Sequence, residues 1–201
     1  PQQRLSELPL LDAPEQQRLL DSLGVEPGEH RLDQCIHHLF AEQALLRKNA
    51  PALTFAGQTL SYAELDARVN RLAWALRERG VGPQVRVGLA LERSLEMVIG
   101  LLAILKAGGA YVPLDPEYPL DRLHYMIEDS RIGLLLSDRA MFNALGELPS
   151  SVASWCLEED SAALAEYPST ELPFISLPQH QAYLIYTSGS TGKPKGVVVS
   201  H

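Results

Sequence analysis

Short apolar runs alternate along this chain with longer stretches whose apolar positions recur at helical spacing, the pattern of strands alternating with helices. Asp33 can cap a helix over residues 33–49, with Ile36, Leu39, Phe40 and Ala44 on one face and His37, Glu42 and Arg47 away from it. A helix splays the adjacent His37 and His38 apart, so they read as a partly exposed pair with the wrong spacing for shared metal ligation. Residues 52–55 and 59–62 flank Ala56, Gly57 and Gln58, a hairpin with glycine in its turn. Ser61 and Glu64 then form S-x-x-E, a capping box that opens an amphipathic helix through Leu65, Val69, Leu72, Ala73 and Leu76, ended by Gly80.

Residues 85–91 alternate as a strand does, and residues 94–107 are apolar nearly all round, as in a helix buried on several sides. Gly108 and Gly109 stop that helix, and the run 110–113 completes a right-handed βαβ unit. Pro113 and Pro116 fix an extended exit; Pro119 and Asp121 suit the first turn of a helix whose buried stripe is Leu120, Leu123, Met126 and Ile127. A further strand is predicted over 132–136 and a helix over 138–145. Asp115, Arg122, His124, Glu128 and Asp129 read as solvated charge or local ion pairs. Regularity fades over 147–181, a surface loop with one short strand at 155–157. Residues 1–32, rich in proline and acids, read as a linker holding a short helix at 14–23 with Leu19, Leu20 and Leu23 as its stripe. The pattern as a whole predicts an α/β fold over 33–201, an open sheet of alternating strands and helices with ligands gathered at strand ends.

Composition narrows the partners. The 201 residues are 46% hydrophobic, enough for the core of one medium domain or part of a larger one. Lys plus Arg at 17 against Asp plus Glu at 25 gives a net charge of -8, which argues against nucleic acid and requires any polyanion to be held locally. Cys35 and Cys156 stand far apart without a CxxC pairing, which points away from a disulfide framework or zinc site and toward a reducing, cytoplasmic compartment. The polar opening PQQRLSEL does not resemble a signal peptide, and its initial proline suggests a piece of a longer chain. The longest charge-free apolar run, 97–105, is far below the ~18 residues of a membrane span.

The candidate chemistry lies in YLIYTSGSTGKPKGVVV, residues 183–199. Aromatic and aliphatic residues suited to strands, Tyr183 to Tyr186 and Val197 to Val199, bracket Thr187, Ser188, Gly189, Ser190, Thr191 and Gly192. Glycines let successive N–H groups converge on an anion, the hydroxyls add uncharged donors, and Lys193 and Lys195 supply compact positive charge. A Walker loop is excluded because Gly189 and Gly192 are too close and Pro194 follows Lys193. GxGxxG lacks its first glycine, and GxSxG would need a glycine at Ser188. A flexible Ser/Gly turn is the plain alternative, although linkers rarely lie between apolar strands and end in Lys-Pro-Lys-Gly.

TSGSTGKPKG resembles the phosphate-binding loop of the adenylate-forming superfamily, with Ser188 to Gly196 on the motif, Lys195 on its lysine and Lys193 at its variable position. LSYAEL at 60–65 also matches a motif of that family, and LKAGGAYVPLDPEYPLDRLHYMIEDS at 105–130 is more like the adenylation domain of a non-ribosomal peptide synthetase than an acyl-CoA ligase. The resemblance implies ATP with magnesium, an amino-acid substrate, aminoacyl-AMP formation with loss of pyrophosphate, and transfer to the phosphopantetheine thiol of a carrier domain. It implies roles for Thr187, Ser188, Gly189, Ser190, Thr191, Gly192 and Lys193 on the phosphates and for Lys195 in catalysis. It makes 1–32 a connector from an upstream condensation domain and 33–201 the first part of the adenylation domain, ahead of a downstream carrier domain. The family's ribose-binding aspartate, metal-binding glutamate, mobile lysine and specificity pocket lie beyond His201, so the chain alone is expected to be inactive. An acyl-CoA or aryl-acid ligase of the same superfamily and a non-catalytic docking fragment are the alternatives.

Overall fold

The computed structural model describes residues 12–23, 33–158, 161–188 and 193–201. Contacts divide the chain into two compact units, Pro1–Leu32 and Asp33–His201. In the first, α1 (Ala13–Leu23) opens where Asp12 Oδ1 accepts a hydrogen bond from the Glu15 N–H at 2.7 Å, which satisfies one of the free amides of a helix start.

The second unit is built on two sheets. A hairpin of β1 (Pro51–Phe55) and β2 (Gln58–Ser61) turns at Ala56 and Gly57, both with positive φ. α3 (Tyr62–Glu78) follows at once: Ser61 N–H and Oγ each donate to Glu64 Oε2 at 2.8 Å, and Ser61 Oγ accepts from the Glu64 N–H at 3.3 Å. The backbone bond from Ser61 and then its hydroxyl hold the Glu64 carboxyl below its usual range.

The main sheet comprises β3 (Arg86–Ala90), β4 (Ala110–Pro113), β5 (Leu134–Ser137), β6 (Ala153–Cys156), β7 (Gln181–Thr187) and β8 (Lys195–Ser200). Its order is β6-β5-β3-β4-β7-β8, parallel except for the antiparallel β7–β8 pair at one edge. The chain leaves β3 toward β4 through α4 (Leu95–Ala107) and returns from β4 to the other side of β3 through α5 (Leu120–Ser130). Right-handed crossovers running in opposite directions place the two helices on opposite faces of the sheet. Two cores result. Leu65, Val69, Leu76, Ile99 and Ile104 of α3 and α4 pack with Val87 and Leu89 on one face. Leu123, Met126 and Ile127 of α5 and Met141 of α6 (Arg139–Leu145) pack with Val112, Leu114, Leu135, Leu184 and Tyr186 on the other. A short α7 (Ser161–Ala165) lies in the less regular stretch before β7.

Two glycines explain the join from α4 to β4. Gly108 caps the helix at φ +98, a left-handed conformation that other side chains rarely adopt. At Gly109 a Cβ would meet Val81 Cγ1 at 2.7 Å and the Val85 carbonyl oxygen at 3.1 Å, so the chain passes too close for any side chain.

Four expectations need correction. The helix predicted over 33–49 is α2 (Ile36–Leu46), with Cys35 rather than Asp33 at its N-cap. Its buried face is shifted: Ile36 and Leu39 are exposed, Ala44 is buried and Phe40 partly buried as expected, and Cys35, His37 and Ala41 are buried beside them. Instead of a partly exposed pair, His37 is 1% exposed, its ring 4.4 Å from that of His38 and 5.1 Å from that of His201. Imidazole is half apolar, and contacts from distant parts of the chain outweighed the pattern of the helix itself. Leu120, placed in the stripe of α5, is 45% exposed because it is the first residue after the Pro119 cap, ahead of the turn that meets the sheet.

Candidate functional site

The carboxyl ends of β3, β4 and β7 open onto a cleft of about 790 Å³. Glu92 and Arg93 line it after β3, Asp115 to Tyr118 after β4, and Ile185 and Tyr186 at the end of β7. A parallel sheet gathers ligands at this end, where the strand order reverses. The β7–β8 hairpin begins one residue beyond the cleft wall, at Thr187, which pairs with Lys195.

Cross-strand register sorts the hairpin side chains between the two faces, because directly opposed residues share a face and successive residues alternate. Thr187 with Lys195, Ile185 with Val197 and Tyr183 with Val199 form one face; Tyr186 with Gly196 and Leu184 with Val198 form the other. The first is the α4 face, since Tyr183 stacks on Tyr111, whose ring packs in the α3–α4 core. Lys195 therefore leaves the strand on the side of Ile185, a cleft residue. Lys193 Nζ instead lies 5.4 Å from the ring centroid of Tyr125 on α5, a cation–π contact on the other side.

Of the residues singled out in the sequence, Thr187, Ser188, Lys193 and Lys195 are exposed at this strand end. Gly189, Ser190, Thr191 and Gly192 lie outside the described residues. The strand that carries the hairpin is anchored from below. Tyr186 is 7% exposed, and its hydroxyl donates to Asp129 Oδ2 at 2.7 Å and to the Met126 carbonyl at 3.4 Å, joining β7 to α5. Burial first and the Asp129 carboxylate second push the phenol far above its ordinary 10.0, so it stays a donor. Gly196 keeps this side open: a Cβ there would stand 3.1 Å from Leu184 Cδ2 and 3.3 Å from Tyr186 Cζ.

Sequence reasoning missed a second anchor. Lys106, the lysine of LKAGG, is 2% exposed and donates to Asp66 Oδ1 at 2.7 Å and Asn70 Oδ1 at 2.8 Å, with Glu171 at 3.8 Å. Asn70 Nδ2 donates in turn to Asp66 Oδ2 and the Ser169 carbonyl. A lysine among helical apolar residues with an aspartate and asparagine spaced four apart on another helix was the only available signal, and nothing local pairs them.

The family model described as AMP-binding enzyme matches residues 40–201. The chain belongs to that family. Among AMP-binding enzymes it is 45% identical over 201 residues to tyrocidine synthase 3 of Brevibacillus parabrevis and 43% identical over 199 residues to bacitracin synthase 3 of Bacillus licheniformis. The matches cover 100% and 98% of this chain and 3% of each relative, so the chain spans a small part of their length. A crystal structure of the nonribosomal peptide synthetase FmoA3 with alpha-methyl-L-serine-AMP bound superposes at a TM-score of 0.77 and 32% identity, over 87% of this chain and 19% of that one. The N-terminal subdomain of Klebsiella oxytoca NpsA shares the fold at a TM-score of 0.73 and 23% identity, over 85% of this chain and 43% of that one. The resemblance to the N-terminal portion of a peptide-synthetase adenylation domain, and the α/β sheet fold expected from the pattern, both hold. Among the described residues no helix is long and apolar enough to cross a membrane.

Proposed function

We propose that this chain is the phosphate-binding part of an amino-acid-activating adenylation domain in a cytoplasmic non-ribosomal peptide synthetase. The observation that carries the reading is the β7–β8 hairpin, which opens beside the cleft at the carboxyl end of the sheet and bears Thr187, Ser188 and Lys195 there. In the complete domain an amino-acid carboxylate attacks the α-phosphorus of ATP, an aminoacyl-phosphate bond forms and pyrophosphate leaves with the electron pair. What this chain contributes is placement and charge. Thr187 and Ser188 donate to phosphate oxygens, together with Gly189, Ser190, Thr191 and Gly192 of the same loop, and Lys195 offsets the charge gathering on the leaving pyrophosphate. Lys193, held toward Tyr125, orders the loop and reaches the phosphates at most from the side.

The fit to magnesium is partial. The donors described at the hairpin are hydroxyls and ammonium groups with no carboxylate among them, and magnesium takes carboxylate or phosphate oxygens. At this hairpin the nucleotide's own phosphate oxygens would hold such an ion, and its charge would offset theirs; the acidic residues Glu92, Asp115 and Glu117 line the adjoining cleft. The aminoacyl group then passes to the phosphopantetheine thiol of a downstream carrier domain, and residues 1–32 connect to an upstream condensation domain. Support comes from the similarity to tyrocidine and bacitracin synthases and to a synthetase solved with an aminoacyl-AMP. The test is pyrophosphate exchange by the complete domain, screened over amino, fatty and aryl acids. Exchange with an amino acid is expected; exchange with fatty or aryl acids alone would make it an acyl or aryl ligase, and absence of nucleotide binding would make it a docking module.

A further inference from the structure

Buried polar atoms without partners gather where α2 begins. Both ring nitrogens of His37, which is 1% exposed, lack a hydrogen-bond partner, as does Nε2 of His201. Cys35 is a free thiol with no exposure at all. One ligand atom from each of Cys35, His37 and His201 lies within 4.8 Å of the other two.

We propose that Cys35, His37 and His201 form a zinc site that staples the start of α2 to the end of β8. A thiolate and two imidazoles are a donor set suited to Zn²⁺, which takes four ligands in a tetrahedron and here leaves the fourth to water. Leaving an imidazole N–H and its lone pair both unmatched in an interior is costly, and coordination, with the side chains drawn inward from spacings of up to 4.8 Å, matches the lone pair. As the Zn–S bond forms, the Cys35 proton leaves to solvent. At His201, Nε2 has no partner to lose, while Nδ1 accepts a 3.4 Å contact from the Ile36 N–H. Phe174, 4.1 Å from the His38 ring and 5.8 Å from the His37 ring, shields the cluster. Nearby positive charge opposes the ion, but Lys106 is already matched by Asp66 and Glu171. Because His201 directly follows β8, the strand that begins at Lys195, the staple fixes the far end of the candidate phosphate hairpin.

The complete domain, stripped with a chelator, is titrated with Zn²⁺ against a chromophoric competitor and separately with Co²⁺. About one equivalent of Zn²⁺ is expected, with a thiolate-to-cobalt charge-transfer band that disappears in Cys35→Ser. His201→Gln should weaken zinc by at least about 100-fold, since outer-shell partners alone are worth about 10–100-fold. No thiolate band in the wild-type protein, or undiminished zinc affinity in both Cys35→Ser and His201→Gln, would overturn the site. The wild-type cobalt spectrum stands even if a variant misfolds, and pyrophosphate exchange is a separate readout from either result.

Discussion

The Tyr186 hydroxyl can be removed without disturbing the packing of its ring, which makes Tyr186→Phe the most exact probe of how β7 is held. The variant loses a 2.7 Å bond to the Asp129 carboxylate and a longer one to the Met126 carbonyl. A hydrogen bond to a charged group contributes roughly 1.5–3 kcal/mol, and the exposure of Asp129 moves the expectation to the low end, about 1.5 kcal/mol. At about 2–4 °C per kcal/mol for a domain of this size, melting should fall by a few degrees. Combining the change with Asp129→Ala in a double-mutant cycle should recover most of that energy as coupling. The sign of the pH dependence follows from a phenol pKa raised above 10.0 in the folded state: the contribution is complete below pH 10.0 and declines as pH rises past it, because the unfolded chain ionises first. The wild-type advantage over Tyr186→Phe should therefore be constant through neutral pH and narrow in strong alkali. Urea and thermal unfolding of the complete domain measure both. Equal stability of the two proteins at neutral pH, or a coupling energy of zero, would refute the anchoring role.

Other perturbations follow from the same contacts. Lys195→Ala should lower pyrophosphate exchange by about 10²-fold, as loss of a charge-stabilising donor does, whereas Lys193→Ala should lower it only a few-fold. Lys106→Met leaves Asn70 and Asp66 without their cation; because Asp66 is 26% exposed in its side chain, unfolding measurements should show a loss of about 2–4 kcal/mol. Gly109→Ala drives a methyl to 2.7 Å from Val81 Cγ1 and should destabilise by about 1–3 kcal/mol in the same assay, a clash that Val81→Ala should partly relieve.

Most of the sheet was legible because its signals are local. The Ser61–Glu64 capping box, the glycine stop at Gly108 and the apolar run of α4 each fix an element within a few residues, and the crossovers follow from handedness. The β7–β8 hairpin was legible because two apolar runs suited to strands flank a short stretch of small residues and lysines. What remained hidden depends on partners far away in sequence. Cys35 and His37 meet His201, Lys106 finds Asp66 and Asn70, and Tyr186 finds Asp129; no periodicity within one element reports such a pairing. The shifted buried face of α2 came from the same source, since a buried histidine reads as polar in any pattern of apolar positions.

The central claim is that the hairpin from Thr187 to Gly196 holds the triphosphate of ATP. A crystal structure of the complete domain with a non-hydrolysable ATP analogue tests it directly. The account predicts phosphate oxygens within hydrogen-bonding distance of Thr187, Ser188 and Lys195, with Lys193 still beside Tyr125. A well-ordered nucleotide whose phosphates lie away from the hairpin would contradict it.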